Sequence, residues 1–330
     1  MAGHLDLDEL DIRIQRELTQ GTQVGLAWGE INPSYRLLGK RLGVSRETIR
    51  KRVEEMSRSG FLRAFPVQVN PALLGLRMGA LSVETPGGGS RVELRDKLAL
   101  IDGMLIIADH VGGLLGLIFY YEDERSLEKK IQLISRICGA TRYKFTSIPY
   151  PRCSVALTPG DWKIVAALQR RRVRRPTEIA RELGISTRTL KRRTKRMIDG
   201  MAISTILSND ARALKGAVIG NLHVEHSPEQ DRGETDRGLV RELDPRLMYV
   251  GLWTEFSLFT LILPSIPAAS ELLEKVRRTR GVATARLDLM EERIEVYSTL
   301  RERVEKKLED IARETEVEVN PAETRTLAAK

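Results

Sequence analysis

The segment Leu37-Leu38-Gly39-Lys40-Arg41-Leu42-Gly43-Val44-Ser45-Arg46-Glu47-Thr48-Ile49-Arg50-Lys51-Arg52 has a counterpart 141 residues downstream, Glu178-Ile179-Ala180-Arg181-Glu182-Leu183-Gly184-Ile185-Ser186-Thr187-Arg188-Thr189-Leu190-Lys191-Arg192-Arg193. In this register Leu42 faces Leu183, Gly43 faces Gly184, Ser45 faces Ser186, Thr48 faces Thr189 and Arg52 faces Arg193. Each copy reads as a helix, a glycine that ends it in the left-handed region, an apolar plug (Val44 or Ile185), a serine N-cap and a basic helix. That order is the helix-turn-helix pattern. Ser34 and Thr177 are the expected caps of the preceding helices, and the small residues Gly39 and Ala180 allow the two helices to cross closely.

The register extends outward. Downstream, Met56 faces Met197, Gly75 faces Gly216 and Gly79 faces Gly220 at the same offset. Upstream, Leu7 to Ile14 resembles Leu157 to Ile164 at an offset of 150, so the first copy carries about nine extra residues, assigned to a loop over Gly21 to Pro33. Leu7, Leu10, Ile14 and Leu18 predict the first helix of copy one, with Asp6 and Asp8 near its positive end. Gly60 and Gly200 predict turns into wing strands in each copy.

Beyond the wings, alternating strands and helices predict β-α-β-β-α-β twice, the ferredoxin-like order. The expected strands are 78–84, 105–110, 114–121 and 142–148, then 217–224, 247–253, 257–263 and 283–290. The expected helices are 91–101 and 124–137, then 235–243 and 268–278. The fold class is therefore α+β, two copies of a winged helix-turn-helix followed by a ferredoxin-like βαββαβ domain. The boundaries are 1–75 and 76–150 for copy one, 151–215 and 216–298 for copy two, with a C-terminal helix and tail over 299–330. A ferredoxin-like sheet leaves one apolar face uncovered by its helices, and the other copy is the expected partner for it.

Of the chain's net +9, the segment 170–196 carries twelve basic and two acidic residues, net +10, and 34–63 carries nine and three, net +6. The rest of the chain sums to −7. Positive charge confined to two helix-turn-helix segments is the footprint of a polyanion contact, here double-stranded DNA. The DNA-binding candidates are Ser45, Arg46, Thr48, Arg50 and Lys51, with Ser186, Thr187, Arg188, Thr189, Lys191 and Arg192. Residues near the helix start are expected at base edges and later cations at phosphates. Arg46 stands against Thr187 and Glu47 against Arg188, so the two copies are expected to read unlike half-sites. Arg170 to Arg175 is either a phosphate clamp or a basic loop.

Other chemistry is sparse. Cys138 and Cys153 form no CxxC pair and read as reduced thiols of a cytoplasmic protein. The start lacks a signal-peptide pattern, and the apolar tract Met104 to Tyr121 is broken by Asp109, His110, Gly112 and Gly113, so no membrane partner is expected. His223, Glu225 and His226 read as a strand-end surface cluster in preference to a metal site. No Ser-His-Asp spacing or phosphate-binding loop is present, and Gly87 to Gly89 reads as a turn. No cofactor, metal or catalytic residue is assigned, and the chain is expected not to be an enzyme. Leu300, Val304, Leu308 and Ile311 make one stripe of a last helix, followed by a disordered tail after Asn320.

The Leu-Asp-x-x-Asp-x-x-Ile start (Leu7 to Ile14), the Leu-Gly-Val-Ser turn and the following β-α-β-β-α-β order resemble the Lrp/AsnC family of transcriptional regulators, nearly end to end and twice over. The resemblance implies a sequence-specific transcriptional regulator whose C-terminal (RAM) domains pair, with an amino-acid-like effector at their interface, in a pseudo-dimer made from one chain. It also implies a homo-oligomer, a dimer of tandem chains. Family members that bind amino acids carry a Gly-Asp-Tyr-Asp-like turn. Here the matching turns are His110 to Leu115 and Trp253 to Phe256, and Glu255 is their single acid and the effector-site candidate. Two other functions fit the same layout: a nucleoid-architectural protein with weak sequence preference, and an enzyme. The sirohaem decarboxylases resemble this arrangement, and that resemblance implies His and Arg around a large tetrapyrrole pocket.

Overall fold

The computed structural model describes residues 5–19, 34–64, 66–86, 90–170, 176–205 and 208–319. The expected loop over 21–33, the glycine turn at 87–89, residues 171–175 of the basic run, His4 and the tail from 320 lie outside the described residues.

The first half opens with α1 (Glu9–Thr19), α2 (Tyr35–Leu42) and α3 (Arg46–Arg58), then short strands β1 (Leu62–Ala64) and β2 (Val67–Val69). Its ferredoxin-like unit follows as β3 (Arg77–Glu84), α4 (Arg91–Ala99), β4 (Met104–His110), β5 (Leu114–Tyr121), α5 (Glu124–Cys138) and β6 (Tyr143–Ile148). The second half repeats the order: α6 (Pro159–Gln169), α7 (Pro176–Glu182), α8 (Thr187–Asp199), β7 (Ile203–Thr205), β8 (Ser208–Asn209), β9 (Val218–His226), α9 (Arg232–Leu243), β10 (Leu247–Leu252), β11 (Ser257–Leu263), α10 (Ile266–Arg277) and β12 (Val282–Glu295). A last helix, α11 (Ser298–Val319), packs on α6.

Local chemistry explains the helix-turn-helix units. Gly43 and Gly184 adopt φ of 71° and 64°, as left-handed helix ends favour glycine. A Cβ on Gly39 would lie 2.6 Å from the Val44 carbonyl, so the crossing of α2 and α3 needs glycine there. Ser45 and Ser186 cap α3 and α8, each accepting a hydrogen bond from a backbone N–H three residues on, at 2.9 and 3.0 Å. Ser34 occupies the N-cap of α2 without a side-chain bond, and Thr177 falls inside α7 instead of capping it.

Three long-range features depart from a simple tandem reading. First, the wing strands do not pair within their own copies: β1 pairs with β8 and β2 with β7, each across the two halves. Second, β12 runs to Glu295, beyond the expected end at 290. Up to Met290 it pairs with β9; past an irregularity at 290–292 it pairs with β4, which joins the two four-stranded sheets into the order β10-β11-β9-β12-β4-β5-β3-β6. Third, the helix-turn-helix units are exchanged. Ile12, Ile14, Leu18 and Ile49 of the first share a core with Ile219, Met248 and Ile262 of the second sheet. Trp162, Ile164, Leu190 and Met197 of the second share one with Met78, Leu105, Tyr120 and Ile148 of the first.

Strand alternation separates two faces. Leu81, Ile107, Leu115 and Phe119 lie in one core with Leu98 of α4 and Ile134 of α5, and Leu222, Val224, Phe259 and Leu261 lie in another with Leu239 of α9 and Leu272 of α10. The alternate residues point the other way, toward the exchanged helix-turn-helix units and toward a space that both sheets line.

Candidate nucleic-acid interface and inter-sheet cavity

The candidate DNA residues sit where a capped third helix places them. In α8, Arg188, Lys191 and Arg192 are exposed and have no ion pair or side-chain hydrogen bond among the described residues, while Thr187 and Thr189 are half-buried. Ser186 accepts from the Thr189 N–H, and the two hydroxyls lie 2.9 Å apart, so both are engaged in the cap. In α3, Ser45 and Thr48 form the same pair at 2.9 Å, and Arg46 and Lys51 are exposed.

Arg50 differs from its counterpart Lys191. Its guanidinium donates to Glu47 and Glu54, the latter at 2.8 Å, so two carboxylates on its own helix already hold it. The hydrogen bonds that Arg50 donates to both glutamates push its pKa upward. At the matching places copy two has Arg188 and Lys195. The free positive surface is thus larger on α8.

Charge counting alone overstates that surface. Arg52 bridges Asp8, just before α1, and Asp11 of α1 at 2.8 and 3.1 Å. Arg193 and Arg196 both reach Asp161 of α6, which is fully buried. Lys195 pairs with Asp199 at 2.8 Å, and Arg63 pairs with Asp210 of the other half. Arg52, Arg193, Arg196 and Arg63 thus tie separate elements together, while Lys195 is neutralised within its own helix. The signal was available in sequence, because Asp11 and Asp161 match at the offset of 150 and Arg52 and Arg193 at 141.

The second site is a cavity between the two sheets. One compartment of about 60 Å3 is lined by apolar side chains with His110, Asn221, Thr260 and Asp288 among them. A second, of about 210 Å3, is bounded by Lys144, Glu225, Thr284, Arg286 and Phe256. Ser82, His223 and Trp253 line both. Thr260 donates to the Asn221 carbonyl oxygen at 2.9 Å, and the Asn221 amide lies 3.0 Å from His110 Nε2. This makes Nε2 an acceptor and places the ring proton on Nδ1. Burial lowers the His110 pKa, so its ring is neutral near pH 7. Burial works against ionisation of Asp288, yet His223 at 3.2 Å and Arg286 at 3.0 Å hold its carboxyl below the usual range.

The histidines correct the sequence expectation. His223 and His226 are on β9, which pairs on both sides, and their side chains are 17% and 8% exposed, so they are not a surface cluster. His226 bonds Asp236 at 2.9 Å, away from the partner of His223. The sequence signal was the alternation of polar Asn221 and His223 with apolar Leu222 and Val224. Glu255 does not line either compartment: it accepts from Thr146 at 2.7 Å and ties the Trp253–Phe256 turn to β6. Thr254 adds a bond to the Ser147 carbonyl at 3.1 Å.

Residues 161–200 match a family model described as winged helix-turn-helix DNA-binding. That span takes in α7, α8 and most of α6, and ends just before the wing strands β7 and β8. The chain is similar to the HTH-type transcriptional regulator Ptr1 of Methanocaldococcus jannaschii, 32% identical over 75 residues, which cover 23% of this chain and 45% of that protein. The match thus spans less than half of that relative's length. Among solved structures, the siroheme decarboxylase NirDL covers 93% of this chain and 100% of its own, with a TM-score of 0.52 and 16% identity. Its complex with an iron-uroporphyrin III analogue covers 92% and 100%, with a TM-score of 0.51 and 16% identity. Escherichia coli AsnC covers 47% of this chain and 98% of its own, with a TM-score of 0.32 and 21% identity.

The expectation that the chain is not an enzyme does not stand, because solved structures that span nearly all of it are those of an enzyme. The physical reason is that charge on the helix-turn-helix units says nothing about the cavity between the sheets. No helix among the described residues is long and apolar enough to cross a membrane.

Proposed function

We propose that this chain is a sequence-specific, double-stranded DNA-binding transcriptional regulator of the Lrp/AsnC type, in which tandem duplication puts both halves of a regulator dimer on one polypeptide. The observation that carries it is the exposed set Arg188, Lys191 and Arg192, without an ion pair among the described residues, on a serine-capped helix inside the segment that matches the winged helix-turn-helix model. Support also comes from Ptr1, a transcriptional regulator by name. Domain limits near 75, 150, 215 and 298, a homo-oligomer of tandem chains and a small-molecule effector belong to the same proposal.

The pairing of β1 with β8 and β2 with β7 ties the two helix-turn-helix units to each other, so they meet DNA in a fixed relation. Arg46 against Thr187 and Glu47 against Arg188 give the two reading helices different donors and acceptors. The site is therefore expected to be asymmetric. Sequencing of duplexes selected from random DNA tests this: two unlike half-sites at fixed spacing support it, and a flat profile contradicts sequence-specific binding.

A second function, catalysis on a tetrapyrrole, is favoured by His110, His223 and Asp288 around one cavity. Cavity size weighs against it. Compartments of about 60 and 210 Å3 fall short of the roughly 300–1,000 Å3 usual for a larger ligand. Absorbance titration with sirohaem distinguishes the two, since a tight stoichiometric complex would favour the enzyme.

A further inference from the structure

We infer that the cavity between the sheets binds a small organic carboxylate with an apolar body and no ammonium group. The inference goes beyond DNA binding and does not depend on it.

The indole N–H of Trp253 is the first observation. Trp253 is 7% exposed, lines both compartments, and its Nε1 has no hydrogen-bond partner among the described residues. A buried donor without an acceptor is costly to maintain, and a ligand oxygen at that point removes the cost. Tryptophan donates only, so the missing partner is an acceptor.

The surrounding charges extend the argument. Lys144, at the rim, uses one of its three donors on Glu225 at 2.7 Å and lies 6.0 Å from the centre of the Phe256 ring. The carboxylates that line the two compartments are already occupied: Glu225, in the larger, accepts from Lys144 and from Thr284 at 3.0 Å, and Asp288, in the smaller, is held by His223 and Arg286. Spare donors with committed acceptors favour an anion and offer nothing to an ammonium group. Ile106, Leu114, Ile118 and Met290 line the adjoining smaller compartment and fit an apolar body. The compartment volumes limit that body to about one ring or a branched alkyl chain.

The test titrates the full-length chain, labelled with 15N at its tryptophan indoles, with sodium benzoate. The chain has three tryptophans, and Trp253→Phe assigns the Trp253 indole signal. The expected result is a saturable shift of that signal at benzoate concentrations on the order of 1 mM. Benzylamine leaves it in place, phenylalanine binds about tenfold more weakly, and Lys144→Gln, a change at an exposed residue, weakens benzoate about tenfold. No shift with benzoate overturns the assignment. So does equal binding of benzylamine or phenylalanine, or unchanged affinity in Lys144→Gln. DNA affinity does not enter the readout, so failure of the regulator proposal and failure of this one are separable.

Discussion

Arg193 of α8 grips the fully buried carboxylate of Asp161 on α6 at 3.1 Å, and Arg52 of α3 stands at the same distance from Asp11 on α1. In each copy the last basic residue of the repeated motif thus locks the third helix to the first. Asp161 also closes a reciprocal cap with Thr158, whose backbone N–H donates to it at 2.9 Å. Asp161→Ala leaves Arg193 and Arg196 without their acid. It is expected to destabilise the protein toward the lower end of the roughly 3–5 kcal/mol typical of a broken buried pair, since both arginines are partly solvated. Arg188→Ala, at an exposed residue with no ion pair among the described residues, leaves stability within about 0.5 kcal/mol. Urea denaturation of both variants checks the contrast, and equal losses would argue against it.

Arg50 is neutralised within its own helix, whereas Lys191 is not. The double change Glu47→Gln and Glu54→Gln is expected to free Arg50 and steepen the dependence of log K on log salt by about 0.9. By the same logic Lys191→Gln weakens DNA binding more than Arg50→Gln does. Equal effects of these two single changes would show that the glutamates release Arg50 when DNA arrives.

His110 gives a pH signature. Burial sets its folded-state pKa below the unfolded value of 6.5, so the unfolded chain binds the proton first. The stability tied to a neutral His110 is complete above that unfolded value and is lost as pH falls below it. Melting temperatures at about pH 7.5 and about 5.5 are expected to drop further for the wild type than for His110→Gln, whose amide does not titrate in this range. Equal drops would exclude His110 as the source.

The exchange of helix-turn-helix units predicts that the halves stay together without a continuous chain. A protease site inserted after Ala156, an exposed residue of the connecting segment, is expected to give a cleaved protein that elutes as one species. The wing pairs, the β12–β4 pairing and the two shared cores account for that. Separation into two species under native conditions would contradict the exchanged packing.

The legible parts of this fold are the ones governed by neighbours in sequence. The serine caps, the left-handed Gly43 and Gly184 and the strand–helix alternation depend on spans of a few residues, and the motif shows them directly. The crossed wing strands, the extension of β12 onto β4 and the exchanged cores depend on contacts between halves, which periodicity does not encode. The candidate site divides the same way. Arg188, Lys191 and Arg192 were readable as a basic helix face. The structural duty of Arg52 and Arg193 needed their partners Asp11 and Asp161 to be seen beside them. The cavity was missed because His110, Asn221 and His223 look like isolated polar residues until two sheets turn them toward one space.

The central claim is DNA binding through α8, and the most direct measurement is the salt dependence of affinity for duplex DNA, wild type against Arg188→Gln, Lys191→Gln and Arg192→Gln combined. With one phosphate contact for each cation, the slope of log K against log salt is expected to fall by about 0.9 per lost contact, up to about 2.7 for all three. A wild-type slope in the folded triple variant would remove α8 from the DNA interface.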